Sequence, residues 1–306
     1  MHRNVILVVR PPADEARLEE LRAAVRAVRA DGHRVRVRVT FEAGDARRFA
    51  RGAALAGADV VVAVGGDGTI NEVVNGLAAA ETDTALAVLP FGTANDFARM
   101  LELPDELEAS LRVAVDGVAV PIDVATVNRR CFVNVSTGGF GAAASQAASR
   151  GIKRRLGRLA YLITGARRLV RFDLRSAAFV ADGDVVHRGP FAFFAVGNAR
   201  WTGGGTEVTP AADPGDGRLD VVIVTGQSRL DLLTLLPSIR AGKHLDDENV
   251  LYLRAMRLVV RTHDEIPVNA DGETVAGRRF RYGLLDRRLP LMVPRQALPI
   301  SGGGRT

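Results

Sequence analysis

A buried strand that ends in a glycine cluster and passes at once into a helix constrains this chain more than any other feature. Val60–Val64 is a continuous apolar run, Gly65-Gly66-Asp67-Gly68 follows it, and helical spacing of apolar residues starts at Ile70. Glycines at such a turn let backbone N–H groups converge, and the helix dipole adds positive potential. Thr69 and Glu72 have the spacing of a capping box, which predicts the helix start. The segment therefore predicts an anion site suited to phosphate.

Two familiar phosphate loops do not fit this segment. A Walker A loop needs a Gly-Lys-Ser/Thr sequence, and the segment has no lysine. The dinucleotide fingerprint needs a third glycine where Asn71 stands. The bland alternative is a plain glycine-bearing turn, but a second turn counts against it. Leu86–Leu89 is followed by Gly92-Thr93-Ala94-Asn95-Asp96, in which Thr93 and Asp96 repeat the cap spacing.

Strand and helix patterns alternate through the first 120 residues, which predicts a mainly parallel α/β sheet. The predicted strands are Val5–Val9, Val35–Val39 at an edge, Val60–Val64 and Ala85–Leu89. Because the carboxyl ends of parallel strands meet at one edge of a sheet, both glycine turns are expected at the edge where ligands bind.

The pattern changes near Ile122, where we place the boundary of a second, largely antiparallel β domain. Short β-rich runs are interrupted by predicted helices at about 151–169 and 230–241, and the tail Ser301–Thr306 is expected to be disordered. The predicted runs are Val124–Val127, Phe132–Val135, Phe191–Val196, Leu219–Val224, Arg257–Val260 and Arg279–Tyr282. A length of 306 residues agrees with two domains.

Composition narrows the class of partner. The net charge is +6 and the pI about 10.3, but all of the 41 basic residues except Lys153 and Lys243 are arginines spread along the chain. Such a spread does not predict a nucleic-acid site. The single Cys131 excludes an internal disulfide and a cysteine zinc site, and we expect it in the core. Without a signal-peptide pattern or an apolar run of spanning length, a cytoplasmic location is expected.

The two glycine turns together resemble the catalytic domain of the diacylglycerol kinase superfamily. NAD kinases share the first turn, so that turn alone leaves the substrate open. Later motifs stand in the order of bacterial lipid kinases: Thr137-Gly138-Gly139-Phe140-Gly141, Gly197-Asn198 with Gly203-Gly204-Gly205, Asp216-Gly217 and Asp271-Gly272-Glu273. Val37–Glu42 with Gly44-Asp45-Ala46 is similar to the YegS-type lipid kinases in particular. The resemblance spans about residues 4–295.

The resemblance implies a fold, a reaction and a set of site residues. The fold is an NAD-kinase-like α/β domain over residues 1–122, rejoined by about 293–306, with a β-sandwich lipid-substrate domain over 123–292. The reaction is transfer of phosphate from ATP to a hydroxyl of a diacylglycerol- or phosphatidylglycerol-like lipid, in an interdomain cleft. ATP is held by Thr40, Gly65, Gly66, Asp67, Gly68, Thr69, Ile70, Asn71 and Thr93. Glu273 is the general base, and Asp213, Asp216 and the carbonyl of Arg218 hold a divalent metal.

The residues themselves leave two of these assignments open. Asp271-Gly272-Glu273 also suits a plain hairpin turn, which the sequence alone favours. Asp213-Pro214-Gly215-Asp216-Gly217 is a strong turn sequence, and oxygen ligands at this spacing suit magnesium, with calcium as the alternative. The resemblance shifts both interpretations toward the functional one. Asp67 and Asp96 are weaker candidates for contact with nucleotide-bound magnesium.

Two further features of the sequence concern phosphate binding and contact with lipid. Related enzymes often carry an Asn-Pro-x-Ser-Gly-like phosphate loop after the first strand, whereas this chain has Arg10-Pro11-Pro12-Ala13-Asp14. This departure leaves open which residues after the first strand would hold the γ-phosphate. Lys153, Arg154, Arg155 and Arg158 form a basic helical face beside leucines, which suits either anionic lipid or a solvated surface.

Three functions compete on these observations. The first is an ATP-dependent lipid kinase. The second is a catalytically impaired lipid- or nucleotide-binding regulator, which the altered loop at Pro11-Pro12 motivates. The third is a kinase of the NAD-kinase type, against which the second-domain motifs argue. The sequence does not identify the acceptor lipid. It also leaves the oligomeric state open, with a homodimer as one alternative.

Overall fold

The computed structural model describes residues 2–11, 14–139, 175–225, 235, 237–239 and 241–295. The chain divides into two compact units. Unit 1 comprises Met1–Val124, Pro214–Asp216 and Leu285–Thr306, and unit 2 comprises Ala125–Asp213 and Gly217–Leu284. Each is described by itself below.

Unit 1 is built on a six-stranded sheet with the strand order β2-β1-β3-β4-β18-β5. Its strands are β1 (Asn4–Val9), β2 (Arg34–Val39), β3 (Val60–Gly65), β4 (Ala85–Pro90), β5 (Val118–Ile122) and β18 (Leu289–Val293). All neighbouring pairs are parallel except β18 with β5. The central strand β3 is buried along its whole length, as expected for a strand covered on both faces. The four strands predicted from the first 120 residues are confirmed.

Four α-helices cover this sheet: α1 (Glu15–Ala30), α2 (Asp45–Leu55), α3 (Asp67–Ala78) and α4 (Leu107–Asp116). Helix α1 begins where Asp14 accepts a hydrogen bond from the Ala16 N–H at 3.0 Å, a side-chain N-cap. Its buried residues recur at helical spacing and pack with β1 and β3 in one core. The edge strand β2 buries only Val35, which confirms the predicted half-exposed edge.

Helices α2 and α3 approach each other closely at Gly76. A β-carbon placed on Gly76 would lie 2.4 Å from the carbonyl oxygen of Arg47 and 2.9 Å from the β-carbon of Ala50. A glycine inside a helix normally costs stability relative to alanine. Here the missing side chain is what lets α3 sit against α2, so the helix that follows the first glycine turn depends on it.

Unit 2 consists mainly of antiparallel strands, in a sheet with the order β15-β14-β11-β8-β16-β17-β6-β7 and with β9 and β10 branching from β16. Its strands are β6 (Ala125–Val127), β7 (Arg130–Phe132), β8 (Val135–Gly139), β9 (Arg175–Ala181), β10 (Asp184–Phe191), β11 (Phe193–Gly197), β14 (Leu219–Val224), β15 (Val250–Ala255), β16 (Leu258–Ala270) and β17 (Glu273–Leu284). A two-stranded sheet pairs β12 (Trp201–Thr202) with β13 (Thr206–Glu207). The predicted β character of the second half is confirmed.

An aromatic cluster fills the core of unit 2. Phe179, Phe191 and Phe194 are fully buried, and the rings of Phe179 and Phe194 meet edge to face with centroids 5.4 Å apart. Gly138 makes room for this cluster, because a β-carbon there would lie 2.1 Å from the Phe194 ring. Cys131 is buried, as expected.

The two predicted helices at 151–169 and 230–241 and the tail Ser301–Thr306 lie outside the described residues, apart from a few helical positions around Leu235. No helix within the described ranges has both the length and the apolar character needed to span a bilayer.

The close approach at Gly76 makes a prediction with a sign opposite to helix propensity. Gly76→Ala is expected to lower the free energy of unfolding by about 1–3 kcal/mol, because the new β-carbon overlaps backbone of α2. Gly52→Ala, in α2 itself, is the matched control, since its β-carbon would meet nothing within 4 Å. That variant is expected to gain up to about 1 kcal/mol. Urea unfolding of both variants measures the difference, and equal gains would contradict the packing argument.

Candidate active site

The first glycine turn joins β3 to α3 without a side-chain cap. Helix α3 begins at Asp67, its N-cap is Gly66, and no side chain bonds to the first turn at that cap. The predicted Thr69–Glu72 capping box is wrong. The Glu72 carboxylate instead accepts hydrogen bonds from the N–H groups of Gly44 and Ala46, at 3.1 and 3.2 Å, and so caps α2. The N-terminus of α3 therefore offers a ligand its main-chain N–H groups and its helix dipole, with no side-chain cap at Gly66.

The second glycine turn packs directly on the first. A β-carbon on Gly92 would lie 2.4 Å from the α-carbon of Gly66, so this position must be glycine for the turns to touch. A β-carbon on Gly66 would lie 3.1 Å from the α-carbon of Gly92, which leaves little room there as well. Asn95 closes the second turn locally, accepting from the Gly92 N–H and donating to the Gly92 carbonyl, both at 2.9 Å. Asp67 then ties the turns together by accepting from the Phe97 N–H at 3.1 Å.

The predicted cap spacing of Thr93 and Asp96 is also wrong, because no α-helix begins there. A short 3-10 helix, Ala98–Leu101, follows, and Asn95 adopts a left-handed conformation with φ of 50°. Asp96 is buried and lies 3.8 Å from the guanidinium of Arg99. The turn owes its shape to Asn95, which sequence spacing gave no reason to single out.

The predicted nucleotide residues gather at one edge of the unit 1 sheet. Thr40 follows β2, Gly65–Asn71 spans the end of β3 and the start of α3, and Thr93 follows β4. These strands run in parallel with β1, so their carboxyl ends share one edge. Thr40 is fixed there by its N–H, which donates to the Val9 carbonyl at 2.9 Å.

The individual contacts show what this edge offers a ligand. Ile70 and Asn71 are buried, and the N–H groups of Thr69 and Ile70 already donate to the Gly66 carbonyl. Gly68 differs: a β-carbon there would meet nothing within 4 Å. Open space above a glycine at a helix N-terminus allows a phosphate to approach the backbone closely. The geometry can therefore bind a polyphosphate through main-chain donors.

Glu273 stands at the start of β17, directly after the hairpin turn from β16. Asp271 and Gly272 form the turn with φ of 48° and 92°, the conformation that a two-residue hairpin favours. The Glu273 side chain is 42% exposed and forms an ion pair with Arg130. The hairpin interpretation and the functional one are thus compatible, because the turn presents the carboxylate. Arg130 was not singled out from the sequence, because it lies 143 positions away from Glu273 in the chain.

The hairpin is anchored by Asp271 through three main-chain contacts. Its carboxylate accepts hydrogen bonds from the N–H groups of Val133, Asn134 and Val135 at 2.6, 3.1 and 3.3 Å. Asn198 supports the same segment from the opposite polarity, because its amide donates to the Val133 carbonyl at 3.2 Å. Charge-assisted bonds of this kind are strong and directional. The carboxylate of Glu273 is therefore presented from a well-fixed turn.

The segment 213–218, the predicted metal site, is held by buried polar contacts. The Asp123 N–H donates to the Pro214 carbonyl at 2.6 Å, and Arg288 donates to the Gly215 carbonyl at 2.9 Å. Arg288 also pairs with the fully buried Asp123 at 3.0 Å. Asp213 and Asp216 are half-buried and Arg218 is exposed. Neither Asp123 nor Arg288 was identified from the sequence.

Asp220 places a further carboxylate beside Asp213. Burial raises the pKa of Asp220 to about 6, the hydrogen bond from Tyr252 opposes that rise, and the nearby charge of Asp213 adds to it. Its Oδ2 atom is buried and has no hydrogen-bond partner within the described part of the chain. The Nε atom of Arg254 lies 3.9 Å from this oxygen, within ion-pair range.

The donor set fits a metal that keeps water ligands. Within the residues that the structure describes, no group of three or more His, Cys, Asp or Glu side chains is arranged to hold a metal. Two carboxylates and a main-chain carbonyl in one turn leave several positions for water, which magnesium commonly retains. The residues present are thus compatible with a divalent cation and do not select between magnesium and calcium.

Three predicted features lie wholly or partly outside the described residues. The basic helical face of Lys153, Arg154, Arg155 and Arg158 is one, and Phe140-Gly141 of the third motif is another. Of the altered loop after β1, Pro12 and Ala13 are not described, while Asp14 caps α1. The function of that loop stays a prediction.

Two family models match the chain. The diacylglycerol kinase catalytic domain matches residues 4–127, and the YegS C-terminal NAD kinase beta sandwich-like domain matches residues 133–292. A Cronobacter sakazakii protein named "Probable lipid kinase YegS-like" is 40% identical over 286 residues, which cover 89% of this chain and 92% of the relative. A Pseudomonas aeruginosa protein of the same name is 39% identical over 291 residues, with 95% and 94% covered.

Solved structures agree on the fold. A diacylglycerol kinase from Bacillus anthracis superposes with a TM-score of 0.73 at 22% identity, covering 97% of this chain and 98% of the other. Another structure from the same bacterium reaches a TM-score of 0.80 at 24% identity, covering 97% and 99%. At such identities the likeness establishes the architecture, and it confirms the α/β domain followed by a β-sandwich domain.

The raised pKa of Asp220 predicts a pH-dependent cost. A carboxyl with a folded-state pKa near 6 and an ordinary value of 3.8 stabilises the fold at acidic pH and loses that contribution as pH rises through 6. Between pH 4 and 7 the wild type is expected to lose about 2 kcal/mol relative to Asp220→Asn, whose amide does not titrate. Urea unfolding of both proteins at several pH values, with a chelator present, measures this difference, and a flat difference would refute the assignment.

Proposed function

The chain belongs to the diacylglycerol kinase catalytic-domain family, and from this premise we propose that it is an ATP-dependent lipid kinase. The observation that carries the proposal is the match of both halves to consecutive models of that family, with the glycine turns in the first and the Glu273 hairpin in the second. Its relatives named as lipid kinases are matched over nearly their whole length. The acceptor in this proposal is a hydroxyl of a diacylglycerol- or phosphatidylglycerol-like lipid.

The nucleotide is proposed to bind at the sheet edge of unit 1. Thr40, Gly65–Asn71 and Thr93 lie at the ends of neighbouring parallel strands, the edge at which α/β sheets bind ligands. The open space above Gly68 supports close approach of a phosphate to the helix N-terminus. Neither glycine turn contains a lysine, so the phosphate contacts in this proposal come from main-chain donors and the helix dipole.

Glu273 is proposed as the general base. As the lipid hydroxyl oxygen forms its bond to the γ-phosphorus, the bond from that phosphorus to the departing ADP oxygen breaks, and the hydroxyl proton passes to the Glu273 carboxylate. Arg130 holds the carboxylate in place before the acceptor arrives. Asp271 holds the turn, so the base has little freedom to turn away from the hydroxyl.

The metal is proposed to be held by Asp213, Asp216 and the carbonyl of Arg218. A divalent cation there would supply fixed positive charge, which offsets the carboxylates of the segment. Arg288 and Asp123 keep the segment in shape through the Pro214 and Gly215 carbonyls. The nucleotide's own magnesium is a separate ion in this proposal, and Asp67 and Asp96 are its nearest candidates by motif.

The competing functions make different predictions. An NAD-kinase-type activity would show NADP formation, and relatives matched across both halves argue against it. A regulator would bind ATP or lipid without turnover. A coupled assay for NADP tests the first alternative, and the lipid-phosphorylation experiment that follows tests the second.

Glu273→Gln is expected to abolish lipid phosphorylation while leaving nucleotide binding intact. Loss of the base lowers kcat by roughly 10²–10⁴-fold, because proton transfer from the hydroxyl then lacks an acceptor. The measurement is transfer of labelled phosphate from ATP to a panel of diacylglycerol and phosphatidylglycerol in mixed micelles, with magnesium. ATP affinity is measured in parallel by calorimetry.

Turnover by the wild type on one lipid, lost in Glu273→Gln, identifies both the acceptor and the base. Turnover retained in the variant would leave the kinase but remove Glu273 from its role. A folded wild type that binds ATP and labels no lipid would favour the regulator and direct attention to the loop at Arg10–Asp14.

Gly68→Ala tests the nucleotide edge independently of the base. Since its β-carbon meets no protein atom within 4 Å, the variant is expected to unfold at the wild-type urea concentration. A nucleotide that approaches the backbone there would clash with the new methyl group, and a tenfold or greater rise in the Kd for ATP is expected, about 1.4 kcal/mol. Unchanged ATP affinity would place the phosphates elsewhere.

A further inference from the structure

One face of the unit 2 sheet carries arginines at matching register positions. In the strands β10, β9, β16 and β17, a row runs Arg188, Ala178, Arg261, Arg279 across the sheet. We call this the arginine row. Directly opposite residues on antiparallel strands project to the same face, and neighbouring strands lie about 4.8 Å apart. The row therefore gathers three guanidinium groups on one surface.

The next row on the same face is apolar apart from one end. It runs Val185, Val180, Val259, Arg281, and we call it the valine row. Val185 is 57% exposed, and Val180 and Val259 are half-buried. The residues that alternate with both rows point the other way, into the aromatic core: Phe179, Val260 and Phe280 are fully buried. The two rows together form the basic sheet face.

The charge of the basic sheet face is not neutralised by acids within the described residues. Elsewhere in the chain, exposed arginines such as Arg22, Arg112 and Arg287 form ion pairs with neighbouring carboxylates. By contrast, Arg188, Arg261, Arg279 and Arg281 form none among the described residues. The positive charge of Arg281 is the largest cause that lowers the pKa of Arg279, followed by desolvation and by the charge of Arg261. The like charges on this face therefore repel one another.

We propose that the basic sheet face docks on an anionic bilayer surface. The arginine row supplies charge complementary to lipid phosphates, and the valine row supplies a shallow apolar contact beside it. A second copy of the chain would bring like charges together, so self-association through this face is disfavoured. The face lacks the aromatic side chains on which nucleic-acid bases stack. The inference rests on the proposed lipid kinase function, which requires the protein to reach a bilayer.

The test is co-sedimentation of the full chain with phosphatidylcholine vesicles, with and without roughly a third of phosphatidylglycerol. The wild type is expected to bind the anionic vesicles and to lose binding as salt rises. Arg261→Gln with Arg279→Gln is expected to lower the partition coefficient about tenfold or more, because each arginine near an anionic surface adds to attraction. Arg261→Lys with Arg279→Lys keeps the charge and should retain most of the binding.

Arg26→Gln with Arg51→Gln is the matched control. Both residues are exposed on helices of unit 1, and the change in net charge is the same. This control is expected to change partition by less than about twofold, since its arginines lie outside the basic sheet face. An equal fall in control and test variants would overturn the proposal in favour of diffuse charge attraction.

Activity separates this proposal from the proposed function. On a short-chain diacylglycerol in neutral detergent micelles, Arg261→Gln with Arg279→Gln should phosphorylate at the wild-type rate. Vesicle binding that depends on the basic sheet face, in a protein without turnover, would uphold the surface and refute the kinase. Turnover with vesicle binding unchanged in the variant would do the reverse. A dimer that dissociates in the variant, or a preference for duplex DNA over vesicles, would also overturn the docking proposal.

Discussion

The contact between Gly66 and Gly92 is the constraint on which the candidate nucleotide edge depends. Because Gly92 cannot hold a β-carbon and Gly66 has little room for one, the turns after β3 and β4 meet backbone to backbone. Parallel pairing of the two strands brings the turns to the same edge, where this contact, the Phe91 N–H bond to the Gly65 carbonyl and the Asp67 bond to the Phe97 N–H hold them together. The shape of this edge depends on missing side chains, and neither turn contains a lysine.

The acidic residues near the candidate site mostly serve the backbone. Asp271 binds three successive N–H groups, Asp67 binds one, and Glu72 caps a neighbouring helix. A carboxylate that accepts main-chain hydrogen bonds fixes a turn more firmly than a side-chain pair does, because the donors cannot rotate away. Glu273 is different, since its partner is the exposed side chain of Arg130. That contrast distinguishes Glu273 from the acids whose carboxylates accept main-chain hydrogen bonds.

Sequence patterns predicted the strands of both units well and the turns less well. Apolar runs such as Val60–Val64 report burial on both faces, which is a local property. The predicted capping boxes were wrong because a capping spacing does not determine which N–H groups a side chain meets. Glu72 caps α2, and Asn95 rather than Thr93 holds the second turn. Asp123, Arg288 and Asp220 were missed for the same reason, because their partners lie far away in the chain.

Composition alone does not predict how the arginines are arranged on the surface of the folded chain. A spread of arginines along the sequence argues against a dedicated polyanion patch, and the ion pairs on the helices of unit 1 agree with that view. In unit 2, however, the register of the strands brings some of these arginines together. Arg188 and Arg279 are separated by 90 residues of sequence and three strand spacings in the sheet, and Arg261 stands between them. Antiparallel pairing turns a diffuse charge into a row, and the core on the opposite face leaves that row no direction but outward.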